Sequence, residues 1–412
     1  MKILYIVPNV IGLKNFFRTG ALIDEGMPSM FKPIRYLIQN NHHITILVYP
    51  HYVPILEKID FKKQNLTIKS MYLKSEILLF KIIRKLSFGY INFHPFFEAV
   101  SLVKQILIIR KQLDFKLIYG QDNLGVLTGY LIGKILNKPV ISRIYGASFM
   151  RASDGKVSFL AKIKHWAKYL PLKIRTELLI ITKDGSISEL EINKIKPKAR
   201  KVKLWFNGYD NLTKNIEPID HNAKEYDFTL ISISVLSKWK NVDVCIKVLN
   251  KFVKRGYNCN LIVIGSGQEK SNLIKLAKSC NILDNISFVG NIERKKIYNY
   301  LKSSHVFLNF YDRQNLSNTL WEAMSMSKCV FTRSDYKINR EVLTHRENAY
   351  LLPIDDIDRI VDELVNLYSN RELLRTIGFN ARKTMRNIIT TWEKRVDKEY
   401  EAILNIYNKK CL

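Results

Sequence analysis

The sequence predicts an α/β protein built from two doubly wound domains. Short apolar runs of strand length alternate with amphipathic helical stretches, and this alternation occurs twice along the chain. At 412 residues the chain is too long for one ordinary hydrophobic core. Residues 205–227 interrupt the alternation with turn-forming pairs such as Asn207-Gly208 and with Pro218. We therefore place a domain boundary in this segment.

The first alternating series defines the first predicted sheet. Its strands are predicted at residues 2–7, 43–49, 116–119, 139–144 and 177–181, with helices at 31–39 and 124–136. The apolar start also resembles a signal peptide, but Pro8 interrupts it and no small-residue cleavage site follows. We interpret residues 2–7 as a buried strand.

The second series follows the linker. Strands are predicted at 228–235, 260–264, 286–289, 305–310 and 329–332, separated by helices at 241–255, 268–280 and 293–303. The last 50 or so residues are predicted to be helical and end in a helix containing Trp392. The predicted division is residues 1–205, residues 206–388 and a terminal helical segment, residues 389–412.

Charge is the strongest global signal, because the formal net charge is +29 and residues 1–210 alone carry +20. Such an excess attracts nucleic acid or an anionic membrane surface, although a lysine-rich composition also explains part of it. No run of about 18 uncharged apolar residues predicts a membrane-spanning helix. The five cysteines have neither disulfide nor metal spacing, which predicts a reducing cytoplasm and no structural metal.

The stretch 312–324 carries the most chemical information. It follows the apolar run 306–310, passes through polar turn residues and enters a helix predicted to open at Ser317 or Asn318. A helix that begins at the carboxyl end of a parallel strand directs backbone N–H groups at a ligand and favours a phosphate. Glu322 follows about one turn later, where its carboxylate would accept from sugar hydroxyls.

Residues 314–324, Gln-Asn-Leu-Ser-Asn-Thr-Leu-Trp-Glu-Ala-Met, resemble the donor motif of glycosyltransferase family 4, a group-1-type family with the GT-B fold. Further segments resemble family motifs in the family's order: 207–210 (Asn-Gly-Tyr-Asp), 240–243 (Lys-Asn-Val-Asp), 261–267 (Leu-Ile-Val-Ile-Gly-Ser-Gly), 288–290 (Phe-Val-Gly) and 347–353 (Glu-Asn-Ala-Tyr-Leu-Leu-Pro). The resemblance is continuous over about 205–412 and looser over 1–204.

The resemblance implies two Rossmann-like domains that face a cleft. The first would bind the acceptor, the second would bind a nucleotide sugar, and the terminal helix would cross back to the first domain. It also implies a retaining transfer of a hexose-type sugar from a nucleoside diphosphate donor, without a metal, a cofactor or a protein nucleophile.

Roles for individual residues follow from these matches. Lys240 would neutralise the donor phosphates and Glu322 would accept from the ribose. The donor would also meet residues of the motif and glycines at strand ends, namely Gly12, Gly265, Gly290, Asn291, Gln314, Leu316, Ser317 and Asn318. Gly12 is explained equally well as a glycine that is needed only for a turn.

Several positions depart from the family pattern. Gln314 replaces the first glutamate of the motif, Val235 lies where an arginine is usual, and Tyr145-Gly146 replaces His-Gly. Gln314 can still bond sugar hydroxyls as donor and acceptor. Lys238 or Arg340 would replace the missing arginine charge. The alternative is a weakened or inactive enzyme that acts as a scaffold.

Asp122 is the predicted catalytic residue of the first domain, because it follows a strand at its carboxyl end. The structural alternative is that it caps the following helix. The string Asp356-Ile357-Asp358 matches the Asp-x-Asp of metal-dependent transferases, but it starts a helix after Pro353, where acids favour the dipole.

Basic and apolar residues mix over 69–86 and again over 156–175, as in helices that lie on anionic bilayers or in core helices with a lysine face. The resulting prediction is a cytoplasmic glycosyltransferase at the inner face of the membrane that extends a surface glycan on a lipid-linked acceptor. The alternatives are a catalytically inactive scaffold and a nucleic-acid-binding protein. The leading prediction does not include nucleic acid as a partner.

Overall fold

The computed structural model describes residues 1–7, 28–48, 66–70, 94–146, 159–183, 189–210, 226–312, 316–335 and 337–411. The chain divides into two compact units. Unit 1 contains Met1–Asn207 together with Trp392–Leu412, and unit 2 contains Gly208–Thr391.

Unit 1 is built on a parallel sheet in the order β3-β2-β1-β4-β5-β6-β7. Its strands are β1 (Lys2–Val7), β2 (His43–Val48), β3 (Leu66–Ser70), β4 (Leu117–Gln121), β5 (Val140–Ile144), β6 (Leu178–Thr182) and β7 (Val202–Trp205). The described helices are α1 (Pro28–Gln39), α2 (His94–Ile109), α3 (Asp122–Ile135), α4 (Phe159–Lys164), α5 (Trp166–Lys173) and α6 (Glu189–Ile195).

Unit 2 is built on a second parallel sheet in the order β10-β9-β8-β11-β12-β13. Its strands are β8 (Phe228–Ile233), β9 (Cys259–Ile264), β10 (Ile286–Gly290), β11 (Val306–Asn309), β12 (Cys329–Arg333) and β13 (Tyr350–Leu352). Its helices are α7 (Val242–Lys254), α8 (Lys270–Ser279), α9 (Arg294–Lys302), α10 (Asn318–Ser325), α11 (Lys337–Val342), α12 (Ile357–Ser369) and α13 (Arg371–Ile388).

The predicted doubly wound α/β class is confirmed in both units. The strands that sequence reasoning missed are β3, β7 and β13, and each lies at an edge of its sheet. Strand β7 is covered less completely than a central strand, and β13, although buried, has only three residues, so neither presents a long apolar run. Every residue of β8 and β9 is buried, whereas β7 is half-exposed.

The last helix, α14 (Trp392–Lys410), packs on unit 1, as the sequence predicts. Its apolar residues Ile403, Ile406 and Tyr407 belong to the core cluster that contains β1 and α1. Its polar anchor is Glu399, which accepts hydrogen bonds from the Tyr119 hydroxyl and from Arg143.

Arg395 completes this buried polar anchor. Its Nη1 donates to Glu399 at 2.9 Å, and its Nε donates to the carbonyl of Phe206 at 3.1 Å. Burial alone would raise the pKa of Glu399, but Arg143 and Arg395 lower it below its ordinary value. The carboxylate is therefore ionised and holds α14 to the sheet of unit 1.

One sequence prediction is wrong where the structure can test it. Lys69 and Ser70, expected to open a basic amphipathic helix over 69–86, end strand β3 instead. Residues 71–86 lie outside the described residues. The second basic segment does form helices, because α4 and α5 cover 159–173 apart from His165. Among the described helices, none is both long and apolar enough to cross a membrane.

Candidate functional site

The donor-motif helix α10 begins just past the carboxyl end of β11. Ser317 is its N-cap, and the Ser317 hydroxyl accepts from the backbone N–H of Leu320 at 3.2 Å. Leu316 is buried, which fixes the entry of the chain into the helix. The first-turn N–H groups, including that of Asn318, therefore lie at the ligand-binding edge of a parallel sheet.

Glu322 lies inside this helix and is 2% exposed. Its carboxylate forms an ion pair with the guanidinium of Arg294, the first residue of α9. Arg294 in turn places its Nε 3.2 Å from the carboxylate of Asp210. The ion pair with Arg294, which also contacts Asp210, restricts the rotation of the Glu322 side chain.

Lys240 is also held in a defined position. It ends a short 3-10 helix, Lys238–Lys240, and is 8% exposed. Its ammonium lies 3.3 Å from the ring centroid of Tyr311 and 4.1 Å from that of Trp239. These aromatic faces attract the cation and reduce the entropy that the long side chain would lose on meeting a phosphate.

Tyr311 connects this lysine to α10. Its hydroxyl donates to the carbonyl of Ile233 at 2.6 Å and lies 3.4 Å from the Thr319 hydroxyl. Burial raises the pKa of Tyr311, so the phenol stays protonated. The backbone N–H of Asp312 donates to the carbonyl of Trp239 at 2.7 Å. The Lys240 segment and the start of α10 are thus joined through one tyrosine.

Two of the predicted glycines meet at the carboxyl ends of β9 and β10. Gly265 N–H donates to the carbonyl of Gly290 at 2.8 Å. Gly265 has φ +127° and a Cβ there would lie 1.8 Å from the carbonyl oxygen of Ser234, so only glycine fits. Gly290 has φ +80° with open space beside it, and Asn291 is exposed. The structure therefore brings Gly265 and Gly290 together, with Gly265 against Ser234, the residue that follows β8.

Asp122 is the first residue of α3 and has φ +61°. Its carboxylate accepts from the backbone N–H of Asn123 at 2.7 Å. Seven other described non-glycine residues share this left-handed conformation, which Asn and Asp adopt more readily than most residues, so it does not by itself indicate a functional site. Gly12 and Gln314 lie outside the described residues, so their predicted donor contacts stay predictions.

Val235 and Tyr145 depart from the family pattern, and Lys238 and Arg340 are the candidates for replacing the missing arginine charge. Val235 is 64% exposed, and Lys238 is exposed as well. Arg340 Nε donates to the carbonyl of Ser334 at 2.7 Å. The Tyr145 hydroxyl donates to Gln121 Oε1 at 3.2 Å in unit 1.

Asp356 caps a helix, since its carboxylate accepts from the backbone N–H of Arg359 at 3.0 Å. In the part of the chain that the structure describes, no three His, Cys, Asp or Glu side chains come together as a metal site.

Sequence reasoning missed Arg294, Tyr311 and Trp239. Arg294 stands in the string 294–296, Arg-Lys-Lys, in a chain with 66 Lys and Arg residues, and no local pattern separates it from the others. Tyr311 directly follows a buried strand, and a polar aromatic at a strand's carboxyl end was the available signal.

Part of this chain is similar in sequence to known glycosyltransferases. The model of the family described as glycosyl transferases group 1 matches residues 213–384. The capsular polysaccharide biosynthesis glycosyltransferase CapM of Staphylococcus aureus is 24% identical over 341 residues, covering 76% of this chain and 82% of CapM. Two other curated relatives are matched over 46% and 47% of their own lengths, so the matched part spans about half of those proteins.

Solved structures share the fold at low sequence identity. Sucrose-phosphate synthase from Thermosynechococcus elongatus is 14% identical with a TM-score of 0.73, covering 99% of this chain and 100% of that one. HepE from Anabaena in complex with UDP is 14% identical with a TM-score of 0.65, covering 98% of this chain and 100% of that one. The predicted GT-B fold is confirmed, and the match to the group 1 family model lies within unit 2.

Proposed function

We propose that the protein transfers a hexose-type sugar from a nucleoside diphosphate donor to a glycan or lipid-linked acceptor, with retention of the anomeric configuration as in family 4. The arrangement in unit 2 carries this proposal. The capped start of α10, the ammonium of Lys240 and the carboxylate of Glu322 are held by one connected set of contacts.

The chemistry follows from the charges of these groups. Departure of a nucleoside diphosphate develops negative charge on its phosphates, and fixed positive groups stabilise that charge. Lys240 and the first-turn N–H groups of α10 supply them, so the proposed reaction is metal-independent and needs no cofactor. Glu322 accepts from the ribose hydroxyls. HepE, a structural relative, was solved with UDP, which supports a nucleotide-linked donor.

The proposal for the acceptor and its location rests on two observations. CapM is named for capsular polysaccharide biosynthesis, which supports a surface glycan as product. The net charge of +20 in residues 1–210 supports association with the anionic inner face of the cytoplasmic membrane. Asp122, at the carboxyl end of β4, is the proposed catalytic residue of unit 1.

Thermal melts with UDP, GDP, ADP and their common sugars test the donor site. A ligand at a hundred times its dissociation constant stabilises by about 2.7 kcal/mol, which a melt resolves. One nucleotide family should raise the Tm of the wild type, and Lys240→Ala and Glu322→Ala should lose that rise. Lys254→Ala is the control, because it removes an exposed lysine at the far end of α7 and should keep the rise.

A folded wild type that responds to no nucleotide would contradict the proposal. Salt-sensitive binding to oligonucleotides would then favour a nucleic-acid-binding protein. Nucleotide binding without donor hydrolysis or transfer would favour the scaffold instead. With an active enzyme, NMR of the first-formed product reports whether the anomeric configuration is retained.

A further inference from the structure

Unit 1 contains a cavity of about 430 Å³ at the amino ends of its strands. It lies where β5, β6 and β7 begin. Asp122 lies at the other end of the strands, where their carboxyl ends are. Its size is in the range of small-molecule sites.

The cavity is strongly basic. Its twelve lining residues include five cations, and Glu177 is the acid among them. Since 66 of the 412 residues are Lys or Arg, about two would be expected among twelve residues of ordinary composition. The carboxylate of Glu177 already lies 3.3 Å from Arg200 Nε. The five cations are Lys134, Lys138, Arg175, Arg200 and Lys410.

An alternative cause of this charge is the carboxyl end of helix α3, whose dipole favours cations. That cause accounts for Lys134 and Lys138, which lie in and just past the last turn of α3. Two further cations also lie near helix ends, Lys410 in the last turn of α14 and Arg175 just past α5. Helix ends do not explain why cations from four segments, including Arg200, line the same cavity.

We propose that this cavity binds a ligand carrying one or more phosphate groups. Like charges that share a concave surface repel one another, and a bound anion removes that repulsion. Arg175 and Arg200 present planar forks that match phosphate oxygens, and Lys138, which is half-buried, adds a point charge. The phosphate belongs either to a soluble compound or to the headgroup of an anionic lipid.

Lysine reactivity in the full-length protein tests the site and locates it. The protein is acetylated with limiting acetic anhydride, and each lysine is quantified by mass spectrometry. The probes are inorganic pyrophosphate, vesicles with phosphatidylglycerol, and vesicles of phosphatidylcholine alone. We expect acetylation of Lys134, Lys138 and Lys410 to fall by about threefold or more, whereas exposed Lys275 and Lys278 of α8 keep their reactivity.

The probe that protects identifies the source of the phosphate. Protection by pyrophosphate indicates a soluble ligand. Protection by phosphatidylglycerol vesicles, with no protection by pyrophosphate, indicates a lipid headgroup. The double variant Lys138→Gln/Arg175→Gln should need about tenfold more probe for the same protection of Lys134 and Lys410. The matched control is Lys275→Gln/Lys278→Gln, which removes the same charge from unit 2.

The proposal would be overturned if neither pyrophosphate nor phosphatidylglycerol vesicles lowered the acetylation of Lys134, Lys138 and Lys410. It would also be overturned if protection were unchanged in the Lys138→Gln/Arg175→Gln variant. Protection at Lys240 reports the proposed donor site and is scored separately. The basic cavity and the donor site can therefore fail independently of each other.

Discussion

The guanidinium of Arg294 forms an ion pair with the buried carboxylate of Glu322 and also contacts Asp210. This relationship joins helix α9, helix α10 and the segment that opens unit 2. The glutamate of the donor motif therefore has its orientation set by an arginine that lies outside the motif.

Arg294→Gln should weaken donor binding, because Glu322 would lose the partner that fixes its carboxylate. Truncating one member of a buried charge pair costs about 2–5 kcal/mol, so a lower Tm is expected as well. Nucleotide affinity measured by calorimetry should fall by about tenfold or more, and Arg294→Lys should recover part of it. Wild-type affinity in Arg294→Gln would show that Glu322 needs no such partner.

Tyr311→Leu should reduce nucleotide affinity, since the aromatic face beside the Lys240 ammonium disappears. Cation–π contacts are worth about 0.5–2 kcal/mol, which corresponds to a loss of about twofold to thirtyfold. Tyr311→Phe retains the ring and loses only the hydroxyl contacts, so its affinity should stay closer to that of the wild type. Equal losses in both variants would assign the effect to the hydroxyl.

Gly265→Ala should disrupt the carboxyl end of β9, because the new Cβ would meet the Ser234 carbonyl at 1.8 Å. Gly256 is the matched control, since its φ is +89° and nothing lies within 4 Å of a Cβ there. Gly256→Ala should cost only the left-handed backbone strain of about 1–2 kcal/mol. Chemical denaturation should rank Gly265→Ala as the less stable variant.

Glu399→Gln should destabilise the packing of α14 on unit 1. It leaves Arg143 and Arg395 without their shared carboxylate, and breaking a buried pair in this way costs about 3–5 kcal/mol. Glu401→Gln changes an exposed glutamate of the same helix and should lie within about 0.5 kcal/mol of the wild type. Urea denaturation of both variants measures the difference, and equal midpoints would contradict the structural role of Glu399.

His305 should make stability depend on pH. Burial, with smaller contributions from Arg371 and Lys328, lowers the pKa of His305 from 6.5 to about 4. Its Nδ1 accepts from the backbone N–H of Thr229 at 3.0 Å, which requires a neutral ring. Between pH 4 and pH 6.5 this histidine binds more protons in the unfolded chain than in the folded chain. The contribution of His305 to stability is therefore complete above pH 6.5 and is lost as the pH falls toward 4.

The size of this decline follows from the shift in pKa. It corresponds to about 3 kcal/mol for this one group. The measurement is the free energy of unfolding between pH 7 and pH 4, and His305→Gln should show a smaller slope. An identical slope in that variant would assign the pH dependence to other groups.

The sequence by itself determined the two-domain α/β class, the start of α10 at Ser317 or Asn318 and the position of Glu322 about one turn inside that helix. These features depend on local chemistry: apolar runs of strand length, a serine that can cap a helix, and a motif within eleven consecutive residues. Edge strand β7 escaped prediction because it is half-exposed, and β13 because three buried residues are too few to form an apolar pattern. Strand β3 was missed because its last residues, Lys69 and Ser70, were interpreted as the start of a helix.

Only the tertiary structure decided the pairing of Arg294 with Glu322, of Lys240 with Tyr311, and of Glu399 with Arg143. The last pair is separated by 256 positions along the chain. Such contacts leave no periodic signal, and 66 basic residues give the sequence no means of distinguishing the few that lie against a carboxylate or an aromatic ring. The folded chain makes that distinction, because burial is favourable only for the charged groups that it brings to a partner.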